Sequence, residues 1–221
     1  MTNGVDFEHF VTRRAPTWDW SLPGERATRA LYVGAFDVRF GEGALRGAAA
    51  SLRAKTFVLA GPGSEAVSAA LARPNVVALG PVKYSLLPDL MQQCSVGLLP
   101  LSQHSANAGR SPMKLYEYAA AGLSIAATAT AEIRQHTLPT LCLAGDEKSF
   151  ADAVRRAFDA SSRASLVDAA RTCAAAEGWL RKAGDLAQLA AAACDRKVTP
   201  VERFAAKGSA TSLHQDRSAL G

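Results

Sequence analysis

The chain has 221 residues, of which 48% are hydrophobic and 20% charged; that is enough to bury one sizeable core and too apolar for a disordered polymer. Its formal charge of +5 is spread along the sequence without basic blocks, which suits an anionic ligand or membrane surface and speaks against nucleic acid as a partner. No apolar run is long enough to cross a bilayer as a helix, and the polar, acidic stretch 2–10 does not read as a signal peptide.

Cys94, Cys142, Cys173 and Cys194 are far apart, without a C-x-x-C spacing or paired histidines. They read as small buried hydrophobes of a reducing compartment rather than a zinc site or a disulfide framework. The composition therefore predicts a soluble cytoplasmic α/β protein, with peripheral contact to the inner face of the membrane as a further expectation.

In chain order, residues 30–33 read as a strand and 41–53 as an alanine-rich helix. Residues 56–60 are a strand, and 64–72 a helix opened by Ser64 as N-cap. A strand over 76–79 precedes a helix over 86–93, with Pro88 and Asp89 in its first turn. Residues 96–101 (Val-Gly-Leu-Leu-Pro-Leu) read as a buried strand, followed by the polar loop 102–110. A helix runs from Ser111 to the glycine stop at Gly122, and strands follow over 124–128 and 141–144. An amphipathic helix over 147–160 and an alanine-rich helix over 179–194 complete the pattern. The segment 195–221, with Pro200, Gly208 and Ser209, has no core pattern and reads as a disordered tail. Alternating strands and helices predict a doubly wound parallel sheet.

The most informative stretch is Ser111-Pro112-Met113-Lys114-Leu115-Tyr116-Glu117-Tyr118. Ser111 suits an N-cap and Pro112 the first helical position, so the helix starts at a defined place after a loop. Its positive end can receive an anion, and Lys114 adds a formal charge in the first turn. Glu117 lies one turn on, nearly on the same face. A nucleoside diphosphate with a ribose diol fits that set of groups, and so does a plain surface helix with an i,i+3 ion pair. Strand, polar loop and helix N-terminus is also the geometry in which open α/β sheets hold ligands, beyond the carboxyl ends of their strands.

Five segments in order resemble the C-terminal, donor-binding half of a GT-B glycosyltransferase with its Rossmann-like fold. Asn3-Gly4-Val5-Asp6-Phe7 resembles the segment linking the two halves of such enzymes, which makes 1–29 a linker and 30–194 the donor-binding domain. Leu31-Tyr32-Val33-Gly34 resembles the first strand and its glycine turn, and Phe57 to Gly63 the second strand with its glycine-rich end. Asn75-Val76 through Leu79-Gly80 resembles the strand before the base-binding loop, and Ser111 to Gly122 the donor-site helix. The Ser-Pro-Met-Lys wording is similar to the glucuronosyltransferase of xanthan-type polysaccharide assembly and to group 1 glycosyltransferases. One departure stands out: the first of the two glutamates that many retaining members carry would fall at Gly109, so that pair is absent.

The resemblance implies a UDP-sugar donor bound by Gly34, Ser111, Met113, Lys114 and Glu117, and a glycan or lipid-linked acceptor in polysaccharide biosynthesis. It places Lys83 and Tyr84 where the nucleobase is received, Tyr84 packing on uracil and Lys83 reaching a carbonyl; a solvated loop lysine beside an ordinary loop aromatic is the plain alternative. His104, in the polar loop, is a candidate for contact with sugar or phosphate, and Asp37 sits just past the Gly34 turn; neither reads as a catalytic base, and no catalytic residue is assigned. Trp18 and Trp20 read as packing residues, and Trp179 resembles a tryptophan in the last helices that cross back to the other half. No cofactor is implied, the nucleotide-sugar being a substrate. No metal is expected either, because no D-x-D pair stands at a strand end. The acceptor and the base belong, on the resemblance, to an N-terminal domain or subunit, without which the chain is expected to be inactive. A non-catalytic Rossmann-like binding module is the alternative, and an early cluster of aspartates that would favour a response-regulator-like domain is missing.

Overall fold

The computed structural model of the chain describes residues 3–11, 20–109 and 113–195, with side chains through 193. Six strands form one parallel sheet: β1 (Arg29–Val33), β2 (Thr56–Ala60), β3 (Val76–Gly80), β4 (Val96–Leu99), β5 (Ser124–Thr128) and β6 (Leu141–Ala144). Their spatial order is β3-β2-β1-β4-β5-β6, so the winding reverses between β1 and β4. This is the doubly wound Rossmann-like arrangement, and a ligand crevice is expected at the reversal. The helices are α1 (Phe7–Val11), α2 (Glu42–Ser51), α3 (Ser64–Leu71), α4 (Leu87–Gln92), α5 (Met113–Ala121), α6 (Phe150–Ser161), α7 (Ala164–Ala176) and α8 (Trp179–Asp195). The chain divides into a compact unit Met1–Gly184, which holds the sheet, and a unit Asp185–Gly221, whose described part is the C-terminal stretch of α8.

Both faces of the sheet are covered, which explains why the central strands read as unbroken apolar runs. Alternation along each strand feeds two cores. Leu31 and Val33 of β1 join Val58, Leu90, Leu115, Tyr118 and Ala170 on one side. Ala30 and Tyr32 join Phe57, Leu45, Phe150 and Val154 on the other. All five residues of β2 and all five of β5 are buried.

Several local expectations are corrected. The strand expected over 96–101 stops at Leu99, because Pro100 has no N–H for the ladder. Leu101 instead bridges Phe40 in antiparallel fashion and donates its N–H to Thr128 Oγ1 at 3.2 Å. Ser64 is not the N-cap of α3; Gly63 is, in the left-handed region, and the Ser64 hydroxyl is buried and accepts the Gly80 N–H at 3.0 Å. The helix expected from 147 begins at Phe150, because Asp146 accepts hydrogen bonds from the Ser149 N–H (2.8 Å) and hydroxyl (2.7 Å) in a turn of its own.

Two helices had no counterpart in the sequence reading. The five-residue α1 buries Phe10 to 1% exposure within the segment expected to be a linker. Val5 beside it exchanges backbone hydrogen bonds at 3.1 Å with Glu177 and Trp179. The second, α7, packs Ala170 and Ala174 into the same core as Ala119 to Ala121 of α5. Trp20 packs against that core, whereas Trp18 and the tail 196–221 lie outside the described residues.

Candidate functional site

A cleft of about 260 Å³ opens at the carboxyl ends of β1 and β4, at the reversal of strand order. Its lining includes Tyr32, Gly34, Asp37, Arg39, Met113 and Lys114. Its walls are the loops after β1 and β4, and they are laced together. The Asn107 side-chain NH₂ donates to the carbonyls of Arg39 and Ser102, both at 2.9 Å, and the Ser102 N–H donates to the Arg39 carbonyl at 2.9 Å. Tyr32, Phe36 and Phe40 pack ring against ring at 4.7–4.9 Å and stiffen the β1 loop from below. Gly34 donates its N–H to the Ala60 carbonyl at 3.0 Å, which fixes the floor next to β2.

The helix bearing the motif is tied to this floor by one side chain. Tyr118 is fully buried, and its hydroxyl accepts the Val33 N–H at 2.9 Å. Burial is the main cause that pushes the phenol well above its ordinary pKa, so it stays protonated. Its ring lies so close over β4 that a Cβ at Gly97 would meet it at 2.4 Å, which is why a glycine interrupts an otherwise apolar strand. Tyr118→Phe leaves the Val33 N–H without its partner and should cost about 1–3 kcal/mol in chemical denaturation. An unchanged unfolding midpoint would show that the bond does not hold α5 to β1.

Of the residues singled out in the sequence, Gly34, Met113 and Lys114 line the cleft together. Glu117 joins them through Lys114, whose Nζ lies 2.6 Å from its Oε2; the carboxylate is only 3% exposed. Ser111 lies outside the described residues, as do Arg110 and Pro112. Lys83 and Tyr84 stand on a separate exposed turn after β3. Tyr84 is 49% exposed and stacks on His9 at 4.5 Å with the rings 10° from parallel, so one of its faces is already covered. Its hydroxyl is pushed up by partial burial first, then by the Glu117 and Asp6 carboxylates. His104 is not among the cleft-lining residues: its Nδ1 accepts the Ala106 N–H at 3.1 Å and caps a short turn. Asp37 does line the cleft, but its two oxygens take the Arg39 Nε–H at 2.9 and 3.0 Å.

Arg39 is a charged cleft residue that the sequence did not announce. It stands in no motif, and only the pairing of its backbone with the β4 loop brings it to the mouth. Among the described residues no group of three or more His, Cys, Asp or Glu is arranged to hold a metal ion. Nor is any described helix long and apolar enough to cross a membrane. Trp179 is 45% exposed and its ring covers Gly4 at the root of α8.

Residues 27–160 match the family model for glycosyl transferases group 1. A Bacillus subtilis (strain 168) protein, TuaH, provisionally named a teichuronic acid biosynthesis glycosyltransferase, is 26% identical over 132 residues, covering 58% of this chain and 33% of that protein. The sucrose-phosphate synthase of Thermosynechococcus elongatus superposes with a TM-score of 0.72 at 19% identity, over 87% of this chain and 51% of that one. Anabaena HepE, solved in complex with UDP and glucose, gives 0.63 at 15% identity over 86% and 55%. The chain thus spans about half of these solved structures and a third of TuaH. The motif helix, the reversal-point cleft and the matched 134-residue span from 27 to 160 agree: the chain belongs to the group 1 glycosyl transferases and has the Rossmann-like fold of GT-B glycosyltransferases.

Proposed function

We propose that the cleft binds a UDP-sugar and that the chain is the donor-binding half of a transferase acting on a glycan or lipid-linked acceptor in polysaccharide biosynthesis. The observation that carries this reading is the position of Lys114 in the first turn of α5, lining one cleft with Gly34 at the point where the strand order reverses. A diphosphate placed there meets the free N–H groups of the helix and a fixed ammonium. Lys114 is held ready by Glu117 instead of roaming in solvent, so less side-chain freedom is lost on binding. Arg39 adds a guanidinium from the opposite loop, in an ion pair with Asp37 that the diphosphate would have to share. We assign the ribose diol to Glu117 and the base to the exposed face of Tyr84. The uracil assignment draws on HepE, whose structures hold UDP, UDP-glucose and glucose.

In the transfer itself the acceptor oxygen bonds to the anomeric carbon as the bond to the diphosphate breaks, and negative charge gathers on the departing phosphate oxygen. Groups aimed at that oxygen lower the barrier because they bind the departing charge more strongly than the intact donor. We assign that part to Lys114 and the α5 N-terminus. We assign the acceptor site and the base to residues outside these 221, and we expect the purified chain to bind donor without transferring sugar. Robust transfer by residues 1–221 alone would contradict this assignment.

The direct check is calorimetric titration of UDP with a chelator present. Binding should be undiminished, since a lysine, an arginine and a helix terminus supply the positive charge. Heat that develops only after magnesium or manganese is added would sink the metal-free reading. No heat under either condition would remove the donor assignment altogether.

A further inference from the structure

A larger cavity, about 420 Å³, opens between α5, the segment joining β5 to β6, and the C-terminal turn of α7. It is separate from the donor cleft: Met113 and Lys114 line the cleft, whereas Tyr116 lines this second space. Its volume lies within the range of ordinary small-molecule sites, ~300–1,000 Å³.

The polar wall of the cavity is a chain of three side chains. The Tyr116 hydroxyl lies 2.8 Å from Nδ1 of His136, and Oε1 of Glu132 lies 3.6 Å from Nε2 of the same ring. The His136 side chain is 7% exposed, yet its Nε2 is buried without a hydrogen-bond partner. Burial, then the Glu177 and Glu132 carboxylates, push the Tyr116 phenol up to about 12, so it keeps its proton and can donate it to Nδ1. In the neutral tautomer that accepts at Nδ1, Nε2 carries the ring proton, and among the described residues no atom accepts it within hydrogen-bond distance.

A buried N–H in that condition is unusual in a folded protein and calls for an explanation. The 3.6 Å to Glu132 is too long for a hydrogen bond. One hydroxyl group resolves both ends of the gap, accepting from Nε2–H and donating to the carboxylate. The rest of the lining selects among hydroxyl ligands. Among the described residues no lysine or arginine lines the cavity, and Glu177 is paired with Lys182 at 2.5 Å, which leaves Glu132 with the His136 ring beside it. An anionic ligand is therefore disfavoured. Leu138 and Ala176 give an apolar floor of the kind that the C–H face of a sugar ring covers.

We propose that this cavity binds a neutral, hydroxyl-rich ligand about one sugar residue in size, held by a hydroxyl that bridges His136 Nε2 and Glu132. The inference stands on the cavity and its orphaned nitrogen, and it does not require that the cleft hold UDP.

The test is NMR of the four histidine rings of the full chain during titration with D-glucose, once without UDP and once with UDP at high concentration. We expect a saturable shift of the His136 ring in both series, with His104 unmoved. D-glucuronate at the same concentrations should bind at least tenfold more weakly, because it brings a second carboxylate toward Glu132. Glu132→Gln, close to isosteric, should weaken glucose at least fivefold and narrow the gap between the two sugars. If that variant does not fold, the comparison of the two sugars on the native chain still decides. Absence of any saturable His136 shift, as a trapped water on Nε2 would give, overturns the proposal. Equal binding of glucuronate, or loss of the shift when UDP is added to a chain shown to bind UDP, overturns it too. A chain that fails to bind UDP but shows the His136 shift would remove the donor assignment and leave this site standing.

Discussion

Gly61→Ala is expected to cost about 4 kcal/mol and to lower the melting temperature by roughly 8–16 °C, at about 2–4 °C per kcal/mol for a domain of this size. Gly61 follows β2 with φ +138°, a region that L side chains rarely adopt, and such a conformation alone costs on the order of 1–3 kcal/mol. The larger part is steric. A Cβ built there would lie 2.0 Å from the carbonyl oxygen of Gly34, and a backbone atom cannot step aside as a flexible side chain would. Neither partner is free to move. Gly61 donates its N–H to Gly80 at 2.8 Å, and Gly34 donates its own to Ala60 at 3.0 Å. The ends of β1, β2 and β3 are thus clamped together through backbone alone, and Gly34 is the residue that the clamp presents to the cleft. Gly47→Ala is the control: a Cβ there meets nothing within 4 Å on α2, and the change should be neutral or stabilise by about 0.5–1 kcal/mol. A Gly61→Ala protein melting within 2 °C of the native one would show that these loops are not in contact as described.

That pair of glycines also shows which parts of the fold were legible in the sequence. The strands Thr56–Ala60, Ser124–Thr128 and Leu141–Ala144 coincide with their expected limits, because a parallel sheet covered on both faces demands short apolar runs ended by turn residues. Helix α7 escaped notice for the opposite reason. Its alanines look the same on every side, and only packing against the alanines of α5 picks out Ala170 and Ala174 as the buried pair. The motif helix and Lys114 could be read because the signals that set a helix and its first-turn charge lie within a few residues of chain. Arg39 could not, since its place depends on Asn107, 68 positions away, holding its carbonyl. His136 and Tyr116 lie 20 positions apart with no periodic relation, so the second cavity had no linear signal at all. Local chemistry was visible in the sequence, and chemistry assembled across elements was not.

Lys114→Ala is expected to weaken UDP about 10- to 100-fold while leaving uridine nearly unchanged. The lower bound follows from losing one charge-assisted contact, typically ~1.5–3 kcal/mol, at a factor of ten per ~1.4 kcal/mol. The structure gives a reason for the loss to exceed that bound. Glu117 is 3% exposed and its Oε2 faces Lys114 at 2.6 Å, so removing the lysine strands a buried carboxylate next to the incoming diphosphate. Repulsion then adds to the missing attraction. The double variant Lys114→Ala/Glu117→Gln should therefore bind UDP several-fold better than Lys114→Ala alone, although it carries one change more. Glu117→Gln by itself acts on the ribose contact, so it should weaken uridine, which Lys114→Ala leaves nearly unchanged. Calorimetry with the two ligands on the three variants separates these effects. Equal losses of UDP and uridine in Lys114→Ala would mean that Lys114 does not touch phosphate. No recovery in the double variant would mean that Glu117 is neutralised by other groups once Lys114 is gone, and the ion pair would then have no part in binding.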